Sequence, residues 1–152
     1  MLVEPPPQAY AQCTVNRPNS SVFNCALTDS GVAQITADLD GNPMASVHGQ
    51  RLQRAAQVTV RAASLTQIFD AALKEKPVDP MSIDVENYEL NVLRSLDYSI
   101  YRPRHILAEV YTPSFLMWLT TCWRKNTACC ATSPISTNAT ILIGTAATTT
   151  TS

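Results

Sequence analysis

The sequence has no excess of charge of either sign, no long apolar run and no patterned set of cysteine or histidine residues. It carries 11 Lys and Arg against 12 Asp and Glu, whereas a nucleic-acid-binding domain has a basic face. No apolar stretch reaches the roughly 18 residues that a membrane-spanning helix needs. Neither nucleic acid nor membrane is therefore expected as a partner.

The five cysteines form an odd set without a regular spacing, and only two histidines accompany them. This pattern argues against a disulfide framework and against a zinc site, so we expect free thiols and no bound metal. The first ten residues, MLVEPPPQAY, lack the basic and apolar regions of a secretory signal peptide. A chain of 152 residues suits one domain, and we expect it to be cytoplasmic.

Apolar runs alternate with helical patterns along most of the chain. Strands are predicted near residues 2–4, 20–27, 80–85 and 104–111, and helices near 64–75, 87–97 and 113–123. Ser64 and Gln67 form a capping box at the start of the helix near 64–75. Strands that alternate with helices predict an α/β fold, with a mostly parallel sheet covered by helices.

Four segments have weaker patterns. QAYAQCTV has the length of two helical turns, and QVTVRAA alternates like a short strand. The segment VAQITADLDGNP alternates weakly and ends near Asp40-Gly41, which is typical of an edge strand or a hairpin arm. Residues 43–57 have no clear period, so we predict a loop there that could serve as a lid.

The C-terminal residues 126–152 contain no Lys, Arg, Asp or Glu and end in TAATTTTS. Such a segment has no pattern for a packed core and is predicted to be disordered. A shifted reading frame or a wrong exon downstream of about Phe115 would also explain its composition. We therefore predict a domain over residues 1–125 and a low-complexity tail over residues 126–152.

Acidic residues follow two of the predicted strands. Glu4 closes the first strand, and Asp84 and Glu86 follow the strand near 80–85. Ligands of open parallel sheets bind at the carboxyl ends of the strands, so Glu4 could accept hydrogen bonds from ribose hydroxyls, or it could be an ordinary exposed acid. Asp84 and Glu86 could hold a metal, a substrate hydroxyl or a proton, or could stabilise the N-terminus of the next helix.

A family resemblance is carried by the segment SIDVENYELNVLRSLDYSIYRPRHILAEVYTPSFL. It resembles the strand–helix–strand core of the FkbM-type methyltransferases, which use S-adenosylmethionine. The residues that match the family pattern are Ile83, Asp84, Val85, Glu86, Glu89, Val92, Leu93 and Glu109. The upstream segments VEPPPQAY, NRPNSSVFNCALTDSG and VTVRAASLTQIF follow in the family's order, so that the resemblance extends from about Leu2 to Leu119.

The resemblance implies a Rossmann-like sheet of the class I methyltransferases that is incomplete in this chain. The family's first strand and its Gly-rich loop would precede Leu2, and the resemblance therefore implies a partial FkbM-type domain that lacks the first strand. Asn87 stands where the family usually has Gly, so Asn would make the turn after Glu86.

The resemblance also implies which residues form the site. Glu4 would hold the ribose hydroxyls of S-adenosylmethionine, and Asp84 and Glu86 would face a small-molecule acceptor as catalytic residues. The strand end that would border the adenine consists of Asn24, Cys25 and Ala26. With a hydroxyl acceptor, Asp84 would accept the proton as general base.

Two classes of function follow from these observations. The first is methyl transfer from S-adenosylmethionine to a hydroxyl group. The second is a non-catalytic, truncated remnant of such an enzyme with at most a binding role, which the absence of the Gly-rich loop favours. Metal-dependent hydrolysis on Asp84 and Glu86 is a weaker third hypothesis, because no set of histidine ligands accompanies them.

Overall fold

The computed structural model describes residues 1–38, 57–74, 76–85, 88–111, 127–132 and 138–145. Their contacts divide the chain into two compact units: Met1–Glu75 with Asn91–Asp97, and Lys76–Leu90 with Tyr98–Ser152. This division differs from the boundary between residues 125 and 126 that the composition suggests, and that boundary stays a prediction.

The first unit begins with a parallel pair of short strands joined by a helix. Strand β1 (Leu2–Val3) leads into helix α1 (Pro7–Asn16) and then into β2 (Val22–Phe23), which pairs with β1 in parallel. Proline at the first position of α1 suits a helix start, because this position needs no amide donor. These elements confirm the predicted strands near 2–4 and 20–27 and the two helical turns between them.

A second, three-stranded sheet continues from the same segment. Strand β3 (Cys25–Leu27) pairs in parallel with β5 (Gln57–Ala63), and β4 (Gln34–Asp38) pairs with β5 in antiparallel orientation. The hydroxyls of Thr36 and Thr59 lie 2.8 Å apart across the β4–β5 ladder. The predicted hairpin arm is thus β4, and most of the predicted loop at 43–57 lies outside the described residues.

Helix α2 (Leu65–Leu73) begins at the predicted capping box. The Ser64 hydroxyl accepts the N–H of Gln67 at 3.1 Å, and the Gln67 side chain accepts the N–H of Ser64 at 2.8 Å. Leu65, Ile68 and Phe69 are buried on one face. The helix ends at Lys74, whose backbone is left-handed with φ 47°.

Helix α3 (Glu89–Arg94) contributes its C-terminal part to the first unit. The Ser95 hydroxyl accepts the N–H of Leu65 at 2.9 Å, and the Thr66 hydroxyl donates to the Ser95 carbonyl at 2.8 Å. These bonds fix the end of α3 against the first turn of α2, where backbone N–H groups need acceptors.

The second unit contains a four-stranded sheet in the order β6–β7–β9–β8. Its strands are β6 (Pro80–Ile83), β7 (His105–Tyr111), β8 (Thr127–Thr132) and β9 (Asn138–Thr145). Strands β6 and β7 are parallel, whereas β9 is antiparallel to both β7 and β8.

Strands β8 and β9 lie within residues 126–152, and the disorder predicted for this segment as a whole stays a prediction. Strand β9 reads NATILIGT, and its threonine and isoleucine residues favour the extended backbone. Uncharged, β-branched sequence can thus pair with an existing strand even when it has no amphipathic pattern of its own.

The fold is mixed α/β with small parallel sheets, as the alternation of elements predicted. The sheet is less parallel than expected: among the described strands, three pairs are parallel and three are antiparallel. The antiparallel strands are β4, β8 and β9, which lie outside the pattern of alternating strands and helices. The predicted helix near 113–123 lies outside the described residues.

Candidate cofactor and acceptor sites

The end of β1 is joined to the end of β2 by one side chain. The N–H of Glu4 donates to the Phe23 carbonyl at 2.9 Å. The Asn24 amide nitrogen in turn donates to the carbonyls of Glu4 and Pro5, at 2.8 and 2.9 Å. Asn24 lies between the end of β2 and the start of β3. Its side chain binds the backbone of Glu4 and Pro5, directly after β1. Two of the predicted site residues, Glu4 and Asn24, are therefore neighbours.

The carboxylate of Glu4 is partly buried at this strand end. Burial raises the pKa of Glu4 above its ordinary value of 4.5, because the charged form loses hydration. Within the part of the chain that the structure describes, this carboxylate has no hydrogen-bond or ion-pair partner. A desolvated, unpaired carboxylate is a strong acceptor for the hydroxyl donors of a ligand.

The two other residues expected beside the adenine face opposite sides of β3. Ala26 is fully buried in a cluster with Ala37 and Val60, so its side chain packs in the core. Cys25 is 5% exposed; burial raises the pKa of its thiol, and the positive charge of Arg61 lowers it in part. Only the Cys25 side of the strand therefore offers a functional group.

The residues that are expected to face the methyl acceptor, Asp84 and Glu86, belong to the second unit. Asp84 follows β6 and is exposed, and Glu86 lies outside the described residues. The N–H of Val85 donates to Oε1 of Glu89 at 3.1 Å, and Glu89 is 3% exposed. The first residue of α3 thus fixes the backbone next to Asp84.

A pocket that the sequence did not suggest lies in the first unit. It has a volume of about 810 Å³, and its lining includes Cys25, Asp29, Arg61 and Arg94. Arg61 is the register partner of Cys25 across the parallel β3–β5 pair. Only the pairing of β3 with β5 brings Cys25 and Arg61 together, because they are far apart in the chain. Alternation within QVTVRAA indicates a strand but does not identify its neighbour.

The described elements form a mixed α/β fold with a partly buried acid at the end of β1. The family model of the methyltransferase FkbM domain matches residues 2–126. The chain belongs to this family, and the resemblance found in the sequence is confirmed. No curated protein and no solved structure was found to match the chain. None of the helices in the described segments is long and apolar enough to cross a membrane.

Proposed function

We propose that the chain is an S-adenosylmethionine-dependent methyltransferase that acts on a hydroxyl group of a small molecule. The FkbM family assignment supports methyl transfer in general. The observation that carries the proposal to the cofactor is the Glu4 carboxylate, which is desolvated and has no partner among the described residues. Its position after β1 is the strand end at which the family binds ribose.

The residues around Glu4 suit the ribose and adenine of S-adenosylmethionine. The two ribose hydroxyls are donors, and one carboxylate accepts both at once. Asn24 holds the backbone carbonyls of Glu4 and Pro5, so it is a positioning residue for the carboxylate. Cys25 and Ala26 continue from Asn24 along β3 and would border the adenine. The cofactor supplies a methyl group on a sulfonium centre.

The acceptor end of the reaction is assigned to Asp84 and Glu86. Methyl transfer is an in-line displacement, so the protein mainly aligns the nucleophile and excludes water. Asp84 is exposed at the end of β6, where its carboxylate is open to a substrate. As general base, it would accept the proton of an acceptor hydroxyl whose oxygen takes the methyl group, with S-adenosylhomocysteine as the leaving group. The contact between Val85 and Glu89 supports this role by fixing the adjacent turn.

A non-catalytic remnant of such an enzyme is the second candidate. It is favoured by the strand pairing, because β1 pairs with β2 alone and β6 with β7 alone among the described strands. Transfer of a labelled methyl group to a small-molecule acceptor separates the two candidates, since a remnant gives no turnover.

The proposal is tested by comparing substitutions at the two acids in the purified full chain. Glu4→Gln is expected to weaken S-adenosylmethionine binding by about 10- to 150-fold, which corresponds to loss of about 1.5–3 kcal/mol of charge-assisted hydrogen bonding. Asp84→Asn is expected to lower turnover more than it lowers cofactor affinity. Isothermal calorimetry gives the affinity, and release of S-adenosylhomocysteine gives the turnover.

Asp79→Asn serves as the matched control, because Asp79 is another exposed acid of the second unit, whose carboxylate pairs with Arg104 and His105. It should change neither quantity. Wild-type affinity that survives Glu4→Gln would remove Glu4 from the cofactor site. Cofactor affinity lost with Asp84→Asn, at unchanged turnover, would reverse the two roles.

A further inference from the structure

The pocket of the first unit is built on one face of the β3–β5 pair. Cys25 and Arg61 are register partners and project from the same side of the sheet. The remaining walls are the loop after β3, the first turn of α2 and the last turn of α3. The volume of about 810 Å³ falls within the range of small-molecule sites, between about 300 and 1,000 Å³.

Hydrogen bonds join the segments that line the pocket. The Asn91 amide nitrogen donates to Oδ2 of Asp29 at 3.0 Å, which joins the loop after β3 to α3. The Ser95 hydroxyl accepts the N–H of Leu65, which joins α3 to α2. Because each wall is fixed to the next, a ligand would meet a pocket that is largely formed in advance.

Two arginines, Arg61 and Arg94, and one acid, Asp29, line this pocket. Across the described residues, neither Arg61 nor Arg94 forms an ion pair. Asp29, the acid in the lining, bonds to the Asn91 amide. The positive charge of Arg61 already acts on the neighbouring thiol of Cys25. Two guanidinium groups against the single carboxylate of Asp29 leave the lining with a net positive charge, and guanidinium groups bind carboxylate and phosphate oxygens in a planar, two-point geometry, so the lining favours an anion.

The rest of the lining mixes polar side chains, among them Thr28 and Gln67, with apolar ones. Phe23 and Ile68 contribute side chains from β2 and α2, and Val32, which is 45% exposed, contributes from the loop. An inorganic ion would leave most of such a volume unfilled. A ligand that covers the apolar part of the lining while it neutralises the arginines combines an apolar body with an acidic group.

We propose that this pocket binds a small organic anion, a carboxylate or a phosphate monoester on an apolar body, with Arg61 and Arg94 holding the acidic group. The pocket shares Cys25 with the expected border of the adenine, but it is lined by neither Glu4 nor Asp84, and the test measures anion binding rather than methyl transfer. The proposal holds whether the full chain transfers methyl groups or not.

The test uses three probes with the same aromatic body: phenylacetate, phenyl phosphate and the neutral phenylacetamide. Binding to the full chain is followed by ligand-observed NMR titration. We expect at least one acid to bind about tenfold or more tightly than the amide, and the stronger acid identifies the preferred oxyanion. Arg61→Gln and Arg94→Gln should each weaken that acid by about 10- to 100-fold and leave the amide unchanged.

Arg17→Gln is the matched control, because Arg17 caps the end of α1 in the same unit and does not line the pocket. It removes the same charge and should leave acid binding at the wild-type level. The proposal is overturned if the acids and the amide bind with the same affinity, or if neither acid binds at a concentration on the order of 10 mM. It is also overturned if Arg17→Gln weakens acid binding as much as the two pocket variants do. The affinities of the acids and the amide are compared on the wild-type chain, so the proposal can be tested even if a variant folds poorly.

Discussion

At the scale of single residues, the partial burial of the Glu4 carboxylate carries a cost in stability at neutral pH. Its pKa is raised by burial, so the folded chain holds the proton of Glu4 more tightly than the unfolded chain does. The contribution of such a group to stability is greatest below pH 4.5, the unperturbed value. It falls as the pH rises through the folded-state pKa. At neutral pH the ionised carboxylate is therefore held at a cost, as is common for residues kept for a ligand.

Glu4→Gln is therefore expected to stabilise the ligand-free chain at pH 7 relative to its effect at pH 4. The glutamine has no charge to desolvate, so the variant avoids the decline that wild type undergoes above pH 4.5. Thermal unfolding of both proteins at the two pH values gives the comparison. A variant that loses more stability at pH 7 than at pH 4 would mean that the carboxylate has a stabilising partner. Glu4 would then be a structural acid.

At the scale of elements, α2 is specified almost completely by its local sequence. Ser64 and Gln67 exchange the two hydrogen bonds of the capping box, and the apolar residues recur at helical spacing. The end of α3 adds a contact that is distant in sequence, since Ser95 accepts the N–H of Leu65. The start of α2 therefore has two sources of stability, one local and one tertiary.

The contribution of the capping box to stability should be measurable by itself. Ser64→Ala is expected to lower the free energy of unfolding by about 1 kcal/mol, since the N–H of Gln67 loses its acceptor. Ser64→Asp retains a capping oxygen and should remain close to wild type. Thr14→Ala in α1 is the control for loss of an exposed hydroxyl, which bonds to Tyr10. Urea denaturation followed by circular dichroism measures all three, and equal losses in the alanine and aspartate variants would contradict the capping role.

The elements also separate what the sequence can specify from what it cannot. The capping box at Ser64 and the apolar run before Asp84 depend on neighbouring residues, so their pattern predicts both correctly. The position of Glu4 at a strand end was likewise predictable, but its link to Asn24 spans 20 residues and needs the pairing of β1 with β2. Arg61 was missed as a pocket residue, because alternation gives the face of a strand and not its partner strand.

At the scale of the whole molecule, the C-terminal strands form part of the second unit. Strand β9 pairs with β7 along His105–Tyr111, and β8 pairs with the outer edge of β9. The composition of residues 126–152 predicted a segment without order, because it lacks charge and helical periodicity. Composition reports whether a segment can form its own core, and β9 instead uses the edge that β7 provides.

Removal of residues 127–152 decides between these two descriptions of the segment. Without β9, the edge of β7 loses its ladder from His105 to Tyr111. Each backbone hydrogen bond contributes about 0.5–1.5 kcal/mol net, and loss of several is a large fraction of a stability of about 5–15 kcal/mol. We expect the melting temperature to fall by more than about 4 °C, with faster amide exchange at His105–Tyr111.

Amide exchange at β5, in the other unit, is the internal reference. A chain that ends at Thr145 keeps β9 and is the matched control, which should behave as wild type. If the longer deletion leaves both the melting temperature and the exchange of β7 unchanged, β9 does not contribute to the sheet in solution, and the disorder predicted from composition is correct.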